Sequence, residues 1–133
     1  MMRKRVLFAL AMSAFTTGVN AGTVDQALAQ YRTQGASEFN AAAGKALWDK
    51  SYPDVRSGES RHCAACHTAD LRQPGKHAQT GKRIEPMAPS VNAKRLTDIK
   101  FMEKWFLRNC KWTLGRECTP QEKGNVLVYL RNM

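Results

Sequence analysis

Beyond its first twenty or so residues the 133-residue chain has no long apolar run. Nothing there reaches the ~20 consecutive apolar residues that a membrane-spanning helix needs, so no stable membrane insertion is expected. No internal repeat is visible, which excludes solenoid and propeller architectures. No segment alternates apolar and polar residues well enough to announce a strand. Acidic residues are scarce, 11 against 21 lysines and arginines. That excess favours anionic partners, but no basic run is interleaved with aromatics, so it lacks the footprint of a nucleic-acid binder.

The chain does have a tripartite N-terminus. Met1-Met2-Arg3-Lys4-Arg5 is followed by an apolar run from Val6 to Phe15 and by Val19-Asn20-Ala21 before Gly22. A basic start, an apolar middle too short to span a bilayer and small residues at the last and third-last positions make a secretory signal. Cleavage after Ala21 is expected, leaving 22–133 as one small domain exported to the periplasm. The mature segment then carries 18 basic and 11 acidic residues, a charge of +7.

The pattern of the remainder is helical. A short helix is expected from Val24 to Tyr31, ended by Gly35. A better one spans Ser37 to Lys50, with Ser37 as cap, an apolar face of Phe39, Ala43 and Leu47 beside Trp48, and Pro53 as its stop. Ser57 to Pro89 is rich in Gly, Pro, Ser, Gln and charge and reads as loops. Thr97 is the expected cap of a helix through Ile99, Met102, Trp105 and Phe106, with Gly115 as its latest end. Thr119-Pro120-Gln121-Glu122 announces the last helix, because a threonine cap, a first-turn proline and a glutamate three residues on coincide. The class is all-α, three to five helices with long loops.

Within the loop stretch stands Cys63-Ala64-Ala65-Cys66-His67. Covalent haem attachment needs two thiols on one turn, one for each vinyl group, and an imidazole directly after them for one axial face of the iron. Behind an export signal this spacing is specific for haem c. A zinc site would want a second ligand pair at metal-binding spacing, which Cys110 and Cys118 do not provide. The expected cofactor is therefore one covalent haem c, with Cys63 and Cys66 as its anchors and His67 as the proximal ligand. A macrocycle of that size would also fill much of a small domain's interior.

The arrangement resembles the class I cytochrome c fold along most of 22–133. In that fold an N-terminal helix bearing a small residue crosses a C-terminal helix bearing an aromatic. Gly44 with Trp48, and Val126 with Tyr129, occupy the corresponding places, and glycine would allow the close crossing.

The second axial ligand decides the function, since a strong sixth ligand makes an electron carrier and a weak or absent one makes a site for small molecules. The candidates are Met87, Met102, His77, His62 and Asn109. Met87 lies 20 residues after His67 in a proline-flanked loop, of the kind that presents a methionine ligand; packing against the haem edge is its other use. Asn109 shares a helical face with Ile99, Met102 and Phe106. Its amide either meets the iron or caps the helix C-terminus.

The segments Ile84-Glu85-Pro86-Met87-Ala88-Pro89-Ser90-Val91-Asn92, Lys104-Trp105-Phe106-Leu107-Arg108-Asn109-Cys110 and Gly115-Arg116-Glu117-Cys118-Thr119-Pro120 resemble the sphaeroides haem protein family of high-spin cytochromes c. That resemblance implies Asn109 as the sixth ligand, a disulfide between Cys110 and Cys118, and loss of the amide on reduction so that oxygen, nitric oxide or carbon monoxide can bind. Met87 belongs to the same pattern without being a ligand in it, and with Trp105 it is expected to line the cofactor. The chemistry agrees: an amide oxygen is a hard donor suited to ferric iron, whereas a thioether is soft and stabilises ferrous iron. A bridge closing so short a loop would contribute about 2.5 kcal/mol. The alternative is a low-spin electron carrier ligated by His67 and Met87.

No distal acid or base stands out for an enzyme that turns over peroxide or nitric oxide, since His77 and Arg83 read as solvated loop positions. The resemblance further implies electron delivery from a dihaem cytochrome c. Lys76, Lys82, Arg83, Lys94 and Arg95 could supply a basic docking surface for it.

Overall fold

A computed structural model describes residues 22–133; the expected signal at 1–21 lies outside the described residues. Among these, α1 (Thr23–Thr33), α2 (Ala41–Asp49), the single turn α3 (Ala64–His67), α4 (Ile99–Leu114) and α5 (Pro120–Arg131) carry the fold. Two antiparallel pairs join them: β1 (Tyr52–Pro53) with β2 (Ser60–Arg61), and β3 (Gly75–Lys76) with β4 (Arg83–Ile84). The sequence reading had no strand. At two residues each these pairs are too short for alternation to register, and the all-α class stands.

The helix starts follow local competition for side-chain acceptors. Thr119 caps α5 by accepting from the Glu122 N–H while Glu122 reaches back to the Thr119 N–H, the reciprocal box read from the sequence. α2 starts later than expected, and its cap is Asn40 in place of Ser37. The Ser37 N–H and hydroxyl are both engaged by the Gln121 Oε1, at 2.7 and 3.1 Å. The same strap continues in the Asn40 N–H, which donates to Asn125 Oδ1. α4 is capped by Asp98 in place of Thr97, because the Thr97 hydroxyl donates to the Lys94 carbonyl and leaves Asp98 to accept from Phe101.

Two apolar clusters fill the interior. Val24, Ala27, Leu28 and Tyr31 of α1 meet Met102 of α4 and Leu127 and Val128 of α5. Trp48 of α2 meets Leu71, Ala88, Val126, Tyr129 and Leu130, with Cys63, Ala64 and Met87 packed at the edge. The crossing of α2 and α5 depends on Gly44: a Cβ there would stand 2.0 Å from the Asn125 carbonyl oxygen and 3.0 Å from the Tyr129 Cβ, so only hydrogen fits. A polar knot ties the three long helices together. The buried Tyr31 hydroxyl donates to Glu103, whose other oxygen accepts from Lys123 at 2.6 Å. Burial, with the Glu103 carboxylate beside it, holds the Tyr31 phenol protonated far above its ordinary value.

Candidate cofactor site

Cys63 caps the turn α3, and the His67 N–H donates to the Cys63 carbonyl at 3.2 Å. Thr68 then leaves the helix at a positive φ of 64°, so the turn ends as the imidazole is delivered. One helical turn places Cys63 and Cys66 on the same side. Both are free thiols, whereas Cys110 and Cys118 are bridged across a Cα separation of 5.6 Å. Burial pushes the Cys63 thiol up to about 11, because an apolar setting disfavours the charged form. Among the described residues no three His, Cys, Asp or Glu side chains converge as a metal cage.

The His67 ring lies 5.4 Å from that of Trp48, centroid to centroid. Burial, reinforced by the Arg95 charge, depresses the imidazole to about 4, so the ring is neutral and keeps a lone pair for a metal. Its Nδ1 and the Trp48 Nε1 are both buried without a hydrogen-bond partner. Buried polar atoms are ordinarily satisfied, and two orphans side by side next to a pair of free thiols suit a non-protein group. The residues present therefore fit haem c.

The surrounding loops hold the turn closely. Behind it passes β3, so near that a Cβ on Gly75 would stand 1.9 Å from the Cys66 carbonyl oxygen and 3.0 Å from the His67 Cα. The Leu71 carbonyl accepts from both the Met87 and Ala88 N–H groups, at 3.0 and 2.9 Å. One residue earlier, the Pro86 carbonyl accepts from Asn92 at 3.1 Å and from the Arg95 Nε at 2.8 Å. Met87 is thereby fixed, half-buried, at the edge of the cluster that contains Cys63 and Trp48.

Helix α4 runs unbroken past Asn109 to Leu114, and Gly115, left-handed at φ 75°, is its C-cap. Asn109 is thus an interior helix residue and not a cap. Its side chain is exposed, at the border between the buried positions Met102, Cys110 and Thr113 and a second stripe of Phe101, Trp105 and Trp112; the helical repeat of about 100° per residue sets those neighbours. Sharing the core face with Ile99 and Phe106 was therefore only partly right. The stripe's far end is tied to the attachment segment: Arg61, two residues before Cys63, donates to the Trp112 carbonyl at 3.0 Å and stacks 4.7 Å over the Trp112 ring.

The other candidates separate clearly. Met102 is buried among α1 and α5 residues. The His77 Nδ1 accepts from Gln79 and Thr80 in the β3–β4 connection. His62 is partly buried, with an unpartnered Nδ1. Lys76, Lys82, Arg83 and Lys94 are exposed, while Arg95 is half-buried over the Pro86 carbonyl. Sequence reasoning missed the roles of Arg61 and Arg95. The turn residues Asp54 to Gly58 could have announced the hairpin that brings Arg61 back beside the cysteines.

Helices crossing at a glycine around a CXXCH turn, with loops between, define a class I c-type cytochrome that carries haem c. Residues 34–130 match a family model described as "Domain of unknown function (DUF1924)". The chain is 38% identical over 109 residues to cytochrome c-type protein SHP of Cereibacter sphaeroides, covering 79% of this chain and 80% of that one. To cytochrome c'' of Methylophilus methylotrophus it is 42% identical over 87 residues, 65% of this chain and 60% of that protein's length. Among solved structures, oxidized SHP, described as an oxygen-binding cytochrome c, superposes with a TM-score of 0.74 at 34% identity, covering 84% of this chain and 98% of that one. Oxidized cytochrome c'' superposes with a TM-score of 0.70 at 33% identity, over 82% and 93%. The chain belongs to the DUF1924 family, which it shares in sequence and fold with SHP, the sphaeroides haem protein, and cytochrome c''.

Proposed function

We propose that this cytochrome is a redox-gated binder of small diatomic molecules, with Cys63 and Cys66 holding the haem, His67 as proximal ligand and Asn109 as a labile sixth ligand. Bound there, the haem supplies an iron that changes charge by one electron and takes oxygen, nitric oxide or carbon monoxide when its sixth position is free. The chain's part is positional. Asn109 offers a hard amide oxygen, which favours the ferric charge and is the weaker partner once an electron arrives. Trp105, a turn away from Asn109, and Met87 on its pinned loop would flank the bound haem and restrict water. The observation that carries this reading is the course of α4. It passes straight through Asn109, leaves the amide without a side-chain partner, and is anchored at Trp112 to the residue two before Cys63. The oxygen-binding description of SHP supports the same chemistry.

Residues 22–133 are the functional domain, delivered to the periplasm by the segment 1–21. Among the described residues no helix is long and apolar enough to cross a membrane. Exposed Lys76, Lys82, Arg83 and Lys94 suit docking of an acidic redox partner, such as a dihaem cytochrome c. The protein is a ligand-binding and electron-accepting cytochrome in this reading, not a dedicated catalyst.

Reduced-minus-oxidised spectra with and without carbon monoxide test it on the native chain and two variants. The native ferrous form and Asn109→Ala should both take carbon monoxide promptly, with the ferric spectrum changed only in Asn109→Ala. Met87→Ala should leave both spectra near native. A ferrous form that refuses carbon monoxide until Met87 is replaced would establish the His67 and Met87 electron carrier instead.

A further inference from the structure

Arg61 makes contacts that the proposed chemistry does not use. It sits in β2, with a side chain 17% exposed, and its guanidinium reaches in three directions. One nitrogen pairs with Asp54 of the same hairpin, whose side chain is only 8% exposed. Another donates to the Trp112 carbonyl at 3.0 Å, and the guanidinium carbon lies 4.7 Å over the Trp112 ring. Trp112 is within the last four residues of α4, whose carbonyls have no partner inside the helix. Asp54 is itself held: it accepts from the Arg56 N–H and the Ser57 hydroxyl, both at 3.1 Å, and these with Arg61 keep its carboxyl below the ordinary range. The two terminal nitrogens of the guanidinium are thus engaged while its Nε is buried without a partner, and a largely buried pair of this kind is costly to break from one side.

The placement gives the pair a use. Arg61 stands two residues before Cys63, and Trp112 three residues after Asn109. The clamp therefore spans from the segment that would anchor the haem to the helix that carries Asn109. On its other side Asn109 adjoins Cys110, bridged to Cys118. The strands β1 and β2 contribute two residues each, too few to be rigid alone, so the guanidinium holds the register. Ligand bonds to a metal tolerate about 0.2 Å of displacement, far less than an untied helix end would wander.

We propose that Arg61, oriented by Asp54, is a positioning residue for Asn109: it fixes the distance from α4 to the haem anchor and thereby sets how firmly the amide holds the ferric sixth position. This rests on the assignment of Asn109 as that ligand.

The test uses ferric holoprotein and added imidazole, which competes with the amide. Apparent affinity for a competitor scales with the fraction of molecules whose site is open. Asn109→Ala sets the ceiling. Arg61→Ala should tighten imidazole binding by about tenfold and raise the midpoint potential, because the ferric state loses its ligand. Arg61→Lys, which keeps charge without the planar fork, should fall between Arg61→Ala and native. Asp54→Asn should act in the same direction with smaller effect, and it keeps the test available if Arg61→Ala does not fold. Native imidazole affinity and potential in a folded Arg61→Ala, or in Asp54→Asn where Arg61→Ala is unstable, would overturn the proposal when Asn109→Ala binds tighter. An Asn109→Ala protein no better at binding imidazole would instead overturn the ligand assignment beneath it.

Discussion

The helices α1, α2, α4 and α5 and the segment from Lys50 to Asp98 are built by different physics. The helices bury large side chains against one another, Tyr31 and Leu127 almost completely, and meet at a glycine crossing that admits no added atom. Between Lys50 and Asp98 only Leu71 and Ala88 are buried apolar residues. Order there comes from hydrogen bonds onto a few carbonyls, those of Leu71 and Pro86 above all, and from paired residues such as Arg61 and Asp54. Stability thus resides mostly in the helices, while the haem anchors and Met87 reside in the segment. Asn109 sits where the two meet.

The comparison breaks most readily at Gly44. Gly44→Ala forces a methyl into the Asn125 carbonyl and should cost about 3 kcal/mol, read as a lowered urea midpoint. If α2 and α5 are the stabilising frame, the folded fraction should keep a native haem spectrum; an altered spectrum at unchanged stability would reverse the division. Next in size is the Cys110–Cys118 bridge, which closes a loop of eight residues. Replacing both cysteines by serine should lower stability by about 2.5 kcal/mol on the chain-entropy estimate. Because Asn109 is adjacent, it should also alter the ferric spectrum, unlike Gly44→Ala. Smallest is Glu85→Gln, which removes an ion pair with Arg83 whose partners are 61% and 63% exposed. Exposed pairs contribute little, so the urea midpoint should not move measurably.

What could be read from sequence follows the same division. The α5 start was legible because Thr119, Pro120 and Glu122 serve one local motif with no competitor. The Gly44 crossing was legible through its resemblance to a known fold. The starts of α2 and α4 were displaced because Ser37 and Thr97 are sound caps in isolation, and distant or neighbouring acceptors, Gln121 and the Lys94 carbonyl, claim them. Periodicity placed Asn109 near the inner face but could not tell a cap from an interior residue. That depended on how far α4 continues, and Gly115 marks its end. Arg61 and Arg95 were illegible in their roles, since what each does depends on carbonyls that lie far off along the chain or within an irregular loop.

Gly75 shows how severe the constraint on an apparently permissive stretch can be. Connecting segments usually accept substitution and insertion freely, and the residues flanking Gly75 include exposed ones. Yet the path behind the attachment turn leaves room for a hydrogen alone. A saturation library across 68–83 should therefore be permissive at its exposed positions, with a notch at the buried Leu71 and a second, sharper one at position 75, where even alanine would press on the peptide of Cys66 and shift the imidazole that follows it.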